Sequence, residues 1–200
     1  MIVVSDMPFS GTPDKVTEVV PRLEAECVVL LEAWQSKATE KHGLVLKTDI
    51  DPLELPAFVL PSTFIYQREP GPDRVRFKCR LAGTSLVEAF GMEPTRHYLD
   101  EMMDPAFYPV RSRFFELAAT RGCPIYYRGT LALKERDFIA FSRILLPVRL
   151  KSTDPTTEML VGAMVFLAPG SVSEADLQQA KANDGVICAF TLDDGAWTRI

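Results

Sequence analysis

The sequence has little of what most enzymes and metalloproteins need. It holds two histidines, His42 and His97, in 200 residues. No catalytic triad or metal-ligand spacing can be built around either, so the ordinary routes to nucleophilic and zinc chemistry are closed. Four cysteines, Cys27, Cys79, Cys123 and Cys188, stand more than about forty residues apart. Cys-x-x-Cys and zinc-knuckle spacings are therefore absent, and reduced thiols used as small hydrophobes in a cytoplasmic protein are expected. Neither a metal nor a bound cofactor is expected. No apolar run reaches the roughly 18 residues of a membrane span. The N-terminus, Met1-Ile-Val-Val-Ser-Asp-Met-Pro8, lacks the basic region of a signal peptide. Internal repeats and low-complexity tracts are missing too.

What is present is enough for a packed core: 47% of residues are hydrophobic. The net charge of -5 is unevenly spread. Residues 1–60 carry ten acids and five bases, residues 105–151 three acids and nine bases, and residues 152–200 seven acids and two bases. Acidic ends argue against a dedicated nucleic-acid binder, while the basic middle leaves room for a local anionic partner.

The segment Arg74-Val-Arg-Phe-Lys-Cys-Arg-Leu-Ala-Gly-Thr-Ser-Leu-Val-Glu-Ala-Phe-Gly91 organises the chain. Val75, Phe77, Cys79 and Leu81 alternate with Arg74, Arg76, Lys78 and Arg80, which predicts a strand with one apolar and one basic face. Ser85 and Glu88 have capping-box spacing for a helix over 85–90, and Gly91 stops it. Before this stretch, residues 1–20 read as an extended leader. A helix is predicted over 21–40, with Leu23, Cys27, Leu30, Leu31, Trp34 and Ala38 as its apolar stripe. Asp51-Pro52 caps a single helical turn. Residues 62–82 form a hairpin about the turn Glu69-Pro-Gly-Pro-Asp73.

Further on, Asp104-Pro105 begins a helix that ends at Arg121, before Gly122, with Phe107, Val110, Phe114, Leu117 and Ala118 facing the core. Strands are expected over 124–133, from Phe138 to Val148, and over 159–167. The last is apolar throughout and so is read as central. A short helix over 173–181 follows, and the tail to Ile200 either adds one strand over 186–190 or simply wraps. Five antiparallel strands with helices between the second and third define an α+β fold, with the helices gathered on one sheet face.

This order resembles the PAS domain. Asp51-Pro-Leu-Glu-Leu-Pro56, Arg80-Leu-Ala-Gly-Thr-Ser-Leu-Val-Glu-Ala-Phe-Gly91 and Thr95-Arg-His-Tyr-Leu-Asp100 are similar to a family of small alphaproteobacterial PAS-like proteins with an Arg-Leu-x-Gly-Thr segment. The resemblance implies a PAS-like domain over 45–168, a leader and flanking helix over 1–44, and a C-terminal extension over 169–200. It implies a sensory or protein-interaction module and brings no catalytic residues. It also implies that the flanking helix packs on the outer sheet face or pairs across a dimer. Leu30, Leu31 and Trp34 are the interface residues of a homodimer on that reading, and an unknown signalling protein receives the output.

PAS domains are known for haem, flavin and small organic ligands. His97 falls in an irregular stretch and is read as a solvated side chain, not an iron ligand. The photoactive flavin subgroup's Gly-x-Asn-Cys-Arg-Phe-Leu-Gln signature has no counterpart here, which disfavours a light-driven thiol adduct. A small-ligand pocket would be walled by Phe77, Cys79, Phe90, Phe107, Phe114, Phe138 and Met164. Ser142 is its one polar candidate. Aromatic and Met clusters of this kind are usually plain core. The basic row is read as a solvated face, or as one covered by Glu24 and Glu32 of the acidic helix. Tyr126-Tyr127-Arg128 is adequately explained by β-propensity. The expected function is thus a non-enzymatic regulatory module; the alternative is a binding protein or enzyme of another α+β cavity fold.

Overall fold

The computed structural model describes residues 22–103, 105, 108–133, 136–153, 157–167, 187–191 and 195–199. The expected leader, the helix over 173–181, the Asp104 cap and Phe107 lie outside the described residues, as does the Phe138 side chain. The named elements are α1 (Ala25–Glu40), β1 (Thr63–Pro70), β2 (Val75–Ala82), α2 (Thr84–Phe90), α3 (Tyr108–Arg121), β3 (Ile125–Leu133), β4 (Arg136–Val148), β5 (Met159–Phe166), β6 (Ile187–Phe190) and β7 (Trp197–Arg199). All strands join one antiparallel sheet in the order β2-β1-β5-β4-β3-β6-β7. The sheet therefore has seven strands, two more than the five of the expected fold, and β6 falls where the sequence offers a tail strand over 186–190. The tail supplies two of them: β6 extends the β3 edge, and β7 comes after a Gly195 turn with φ +66°.

Two cores form because the central strands are apolar on both faces. On the outer face α1 lays Cys27, Leu30, Leu31, Trp34 and Ala38 over Ile65, Ile144, Leu146, Val161 and Ala163. On the inner face α2 and α3 cover Phe64, Tyr66, Phe77, Cys79, Phe141, Leu145, Leu160 and Met164. Strand β5 is central and covered on both faces, as its unbroken apolar run predicts.

Two local expectations fail for identifiable reasons. Arg80 sits in a β-bulge, where the register passes from Ile65↔Leu81 to Tyr66↔Cys79. One extra residue reverses the alternation beyond it, so Leu81 packs on the outer cluster while Phe77 and Cys79 stay inside. The capping box at Ser85 and Glu88 is also absent. Helix α2 begins one residue earlier, on Gly83, without a side-chain cap. A Cβ at Gly83 would overlap the carbonyls of Leu60 and Pro61, so this close backbone approach excludes any other residue. Gly91 ends α2 in the left-handed region at φ +67°, as its place in the sequence predicts.

Candidate functional site

Helix α1 is spent on the chain's own sheet. Leu30, Leu31 and Trp34 are all buried there, and Trp34 Nε1 donates to the Pro147 carbonyl at 2.8 Å. These three side chains fill the outer core and so are not exposed for a dimer seam. The apolar stripe is the one the sequence predicts; the surface it covers is the sheet. At the start of α1, Arg128 Nη2 donates to Glu24 Oε1 at 2.7 Å, and Arg128 Nε donates to the Tyr126 hydroxyl at 3.0 Å. That hydroxyl lies 3.0 Å from Glu24 Oε2. Tyr126 and Arg128 thus form a polar latch on the helix, a role that β-propensity alone does not describe.

The basic row of β2 does not meet α1. Segment 96–99 runs along its edge, with Cys79 N donating to His97 O at 2.9 Å and Leu99 N to Phe77 O at 2.8 Å. Asp100 and Glu101, next in the chain, take the charges. Arg76 holds Asp100 through Nε (3.0 Å) and Nη2 (2.8 Å), and Nη2 also reaches Glu101 at 2.9 Å. Arg74 adds a bond to Asp100 at 2.9 Å, and the Arg76 guanidinium lies 3.7 Å from the Tyr98 ring centre. Arg80 turns the other way, to Glu69 and Gln67. Arg74, Arg76 and Arg80 are therefore paired within the domain, Lys78 Nζ lies 5.2 Å from the Tyr98 ring centre, and the edge of the sheet is closed. His97 stands half-exposed, 3.7 Å from Glu101.

The expected pocket residues divide. Phe77, Cys79, Phe114 and Met164 come together in the inner cluster, with Phe90 packed against it. Burial pushes the Cys79 thiol up to about 11, so it stays protonated and behaves as a hydrophobe. Ser142 is not part of that wall: it is fully buried on the outer face, beside Cys27 of α1. The even residues of β4, Ile144, Leu146 and Val148, face α1, and Ser142 shares their parity. Burial, with Glu24 and Glu26 adding to it, drives the Cys27 thiol up as well.

The polar group of the inner face is instead Arg143, which is 3% exposed. Its Nη1 donates to the Tyr127 hydroxyl at 2.9 Å, and its Nη2 lies 2.6 Å from the Met164 sulfur. Its Nε is buried and meets no acceptor among the described residues. Four rings surround the guanidinium, with Cζ 5.3 Å from the centre of Phe141, 5.5 Å from Phe64 and Phe115, and 5.8 Å from Tyr127. A second guanidinium, of Arg111 on α3, lies 5.2 Å from the same Phe141 ring. Burial, with Arg143 nearby, lowers the Arg111 pKa from its usual value. Gly129 makes room for it, since a Cβ there would stand 2.7 Å from Arg111 Nη1. Arg143 has a signal in the sequence: it is the one charged residue in Phe138-Ile-Ala-Phe-Ser-Arg-Ile-Leu-Leu-Pro-Val148.

A surface groove of about 310 Å³ lies at the C-terminal end of α3, lined by Arg68, Thr120, Arg121, Arg149 and Thr157 among others. Arg68 is committed there to Glu116 at 3.3 Å. Among the described residues, no group of three His, Cys, Asp or Glu side chains is placed to hold a metal ion. None of the described helices is long and apolar enough to cross a membrane.

A family model described as PAS domain matches residues 24–165, from the latch on α1 to the end of β5. The chain belongs to the PAS domain family. PAS domains are generally sensory and regulatory modules without catalytic machinery of their own. In this PAS domain the sheet order β2-β1-β5-β4-β3 carries the inner cluster, and β6 and β7 are additions at its β3 edge. Comparison with curated proteins and with solved structures gave no match.

Proposed function

We propose that this PAS domain is a non-enzymatic regulatory module that acts through protein–protein contact and is tuned by a small ligand in its inner cluster. The observation that carries this reading is the alternation along β4. Arg143 enters the inner cluster, while its neighbour Ser142 stands against Cys27 of α1 on the outer face. A rearrangement around Arg143 therefore shifts the backbone on which α1 rests, and α1 is the element through which the change reaches the surface. Contact with a partner is supported by Leu53 and Phe58, exposed by 85% and 53% before β1. Both side chains belong to one short segment, and an exposed apolar surface is what a protein partner covers.

The test is capture of partners from the native host with tagged protein, alongside a Leu53→Ser/Phe58→Ser variant. The expected result is a partner retained by the wild type and lost by the variant, with unchanged circular dichroism. Capture by the wild type no richer than that of an unrelated PAS domain overturns the contact reading.

A further inference from the structure

We propose that Arg143 is the recognition group of a ligand site in the inner cluster, and that its ligand is a small organic carboxylate. The proposal rests on the ligand-tuned reading above and names the chemistry of that ligand. Arginine holds a carboxylate best through a planar edge that presents two parallel N–H donors. Arg76 shows this within the same chain, since its Nε and Nη2 together hold Asp100. The same edge of Arg143 meets no carboxylate among the described residues. Among those residues its Nε has no acceptor, and its Nη2 meets the Met164 thioether, a weak one.

A buried cation loses its hydration, and cation–π contacts at 5.3–5.8 Å return only part of it, since none of them supplies the opposite charge. An aromatic cage and one phenol therefore leave the charge incompletely compensated, and a bound anion completes it. The flat walls of Phe64, Phe115 and Phe141 suit a planar acid better than a tetrahedral oxyanion. Met164 is unbranched and flexible, so it can turn aside for a ligand of a few heavy atoms. Arg111, above the same ring, adds positive potential.

The test is titration of the full chain with benzoate, acetate and inorganic phosphate at constant ionic strength, followed by calorimetry and thermal melting. Benzoate is expected to bind saturably at one per chain and to raise the melting temperature, with phosphate giving a weaker response. Arg143→Met is expected to abolish the response, and Arg143→Lys, which keeps the charge but loses the fork, to weaken binding about tenfold. No saturable response to either acid, or an equal response in Arg143→Met, overturns the site. A phosphate response as large as that of benzoate overturns the carboxylate assignment. Should Arg143→Met fail to fold, the Nε–H NMR signal of Arg143 carries the test: it must shift with benzoate, and a stationary signal overturns the proposal. Failure of partner capture with benzoate binding intact would sink the regulatory reading alone, so the two failures are separable.

Discussion

Trp34 and Pro147 are joined by a buried hydrogen bond, Nε1 to carbonyl oxygen at 2.8 Å, across 113 residues of sequence. The bond fixes α1 on the sheet at the end of β4, where a proline leaves a carbonyl but no amide for the ladder. Trp34→Phe removes the donor and some volume, and is expected to cost about 1–3 kcal/mol. Trp34→Ala should cost about 3–5 kcal/mol. Urea unfolding measures both. A Trp34→Ala protein with an unchanged urea midpoint but a smaller oligomer would restore the seam reading of this helix.

Tyr127 and Arg143 should be coupled in stability. Tyr127→Phe takes away a hydroxyl bonded to a buried cation, and its expected cost is about 1–3 kcal/mol. Arg143→Met removes the charge itself from an apolar setting, and is expected to fall within about 1 kcal/mol of the wild type or to stabilise. In the double variant the Tyr127→Phe penalty should vanish, because no charge remains to be served. Additive costs in the cycle would show that the phenol stabilises the fold independently of Arg143.

Periodicity makes the α1 stripe, the central place of β5 and the hairpin over 62–82 legible in the sequence. Each is a long apolar pattern with strong flanking signals. The faces of β4 are not legible in the same way. Ile144, Leu146 and Val148 define one apolar set and Phe141 and Leu145 another, and period two cannot say which set meets α1 and which meets α3. An inward Ser142 is expected for that reason, and Arg143 escapes the reading although it is the lone charge of the run. Leu81 is lost to the bulge at Arg80, a one-residue event with no glycine to announce it. The partners of Arg74 and Arg76 lie about 25 residues away in an irregular segment, where no periodic signal exists.

Gly83 explains why the strand-to-helix switch carries a glycine. Its φ of -70° is open to any residue, so the constraint is contact with the Leu60 and Pro61 carbonyls. Gly83→Ala forces backbone to move against backbone, and is expected to destabilise by about 1–3 kcal/mol. Gly91→Ala is a useful contrast: nothing crowds its Cβ, but its φ of +67° makes alanine strained. Its cost should be about 1 kcal/mol. Chemical denaturation ranks the two, and a Gly83→Ala protein as stable as the wild type would remove the crowding argument.

Asp100 gives the closed edge of β2 a pH dependence. Burial alone would raise its carboxyl, but the bonds from Arg76 and Arg74 outweigh burial and hold it below the usual carboxylate range. A carboxyl with a lowered folded pKa binds fewer protons in the folded state than in the unfolded state. Its contribution is therefore complete above the unfolded value of about 3.9, and it is lost as pH falls through the folded one. Unfolding in urea between pH 6 and pH 2.5 should show the wild type losing stability more steeply below about pH 4 than Asp100→Asn. Asp49 shifts the same way through Lys41 and the Leu46 amide, so the wild-type slope alone is not diagnostic. The difference between the two curves reports Asp100 together with its effect on Glu101, which shares Arg76. It should be largest near neutral pH and close as the wild-type carboxylate is protonated, whereas parallel curves across the whole range would mean that the Arg76–Asp100 pair contributes nothing through its charge.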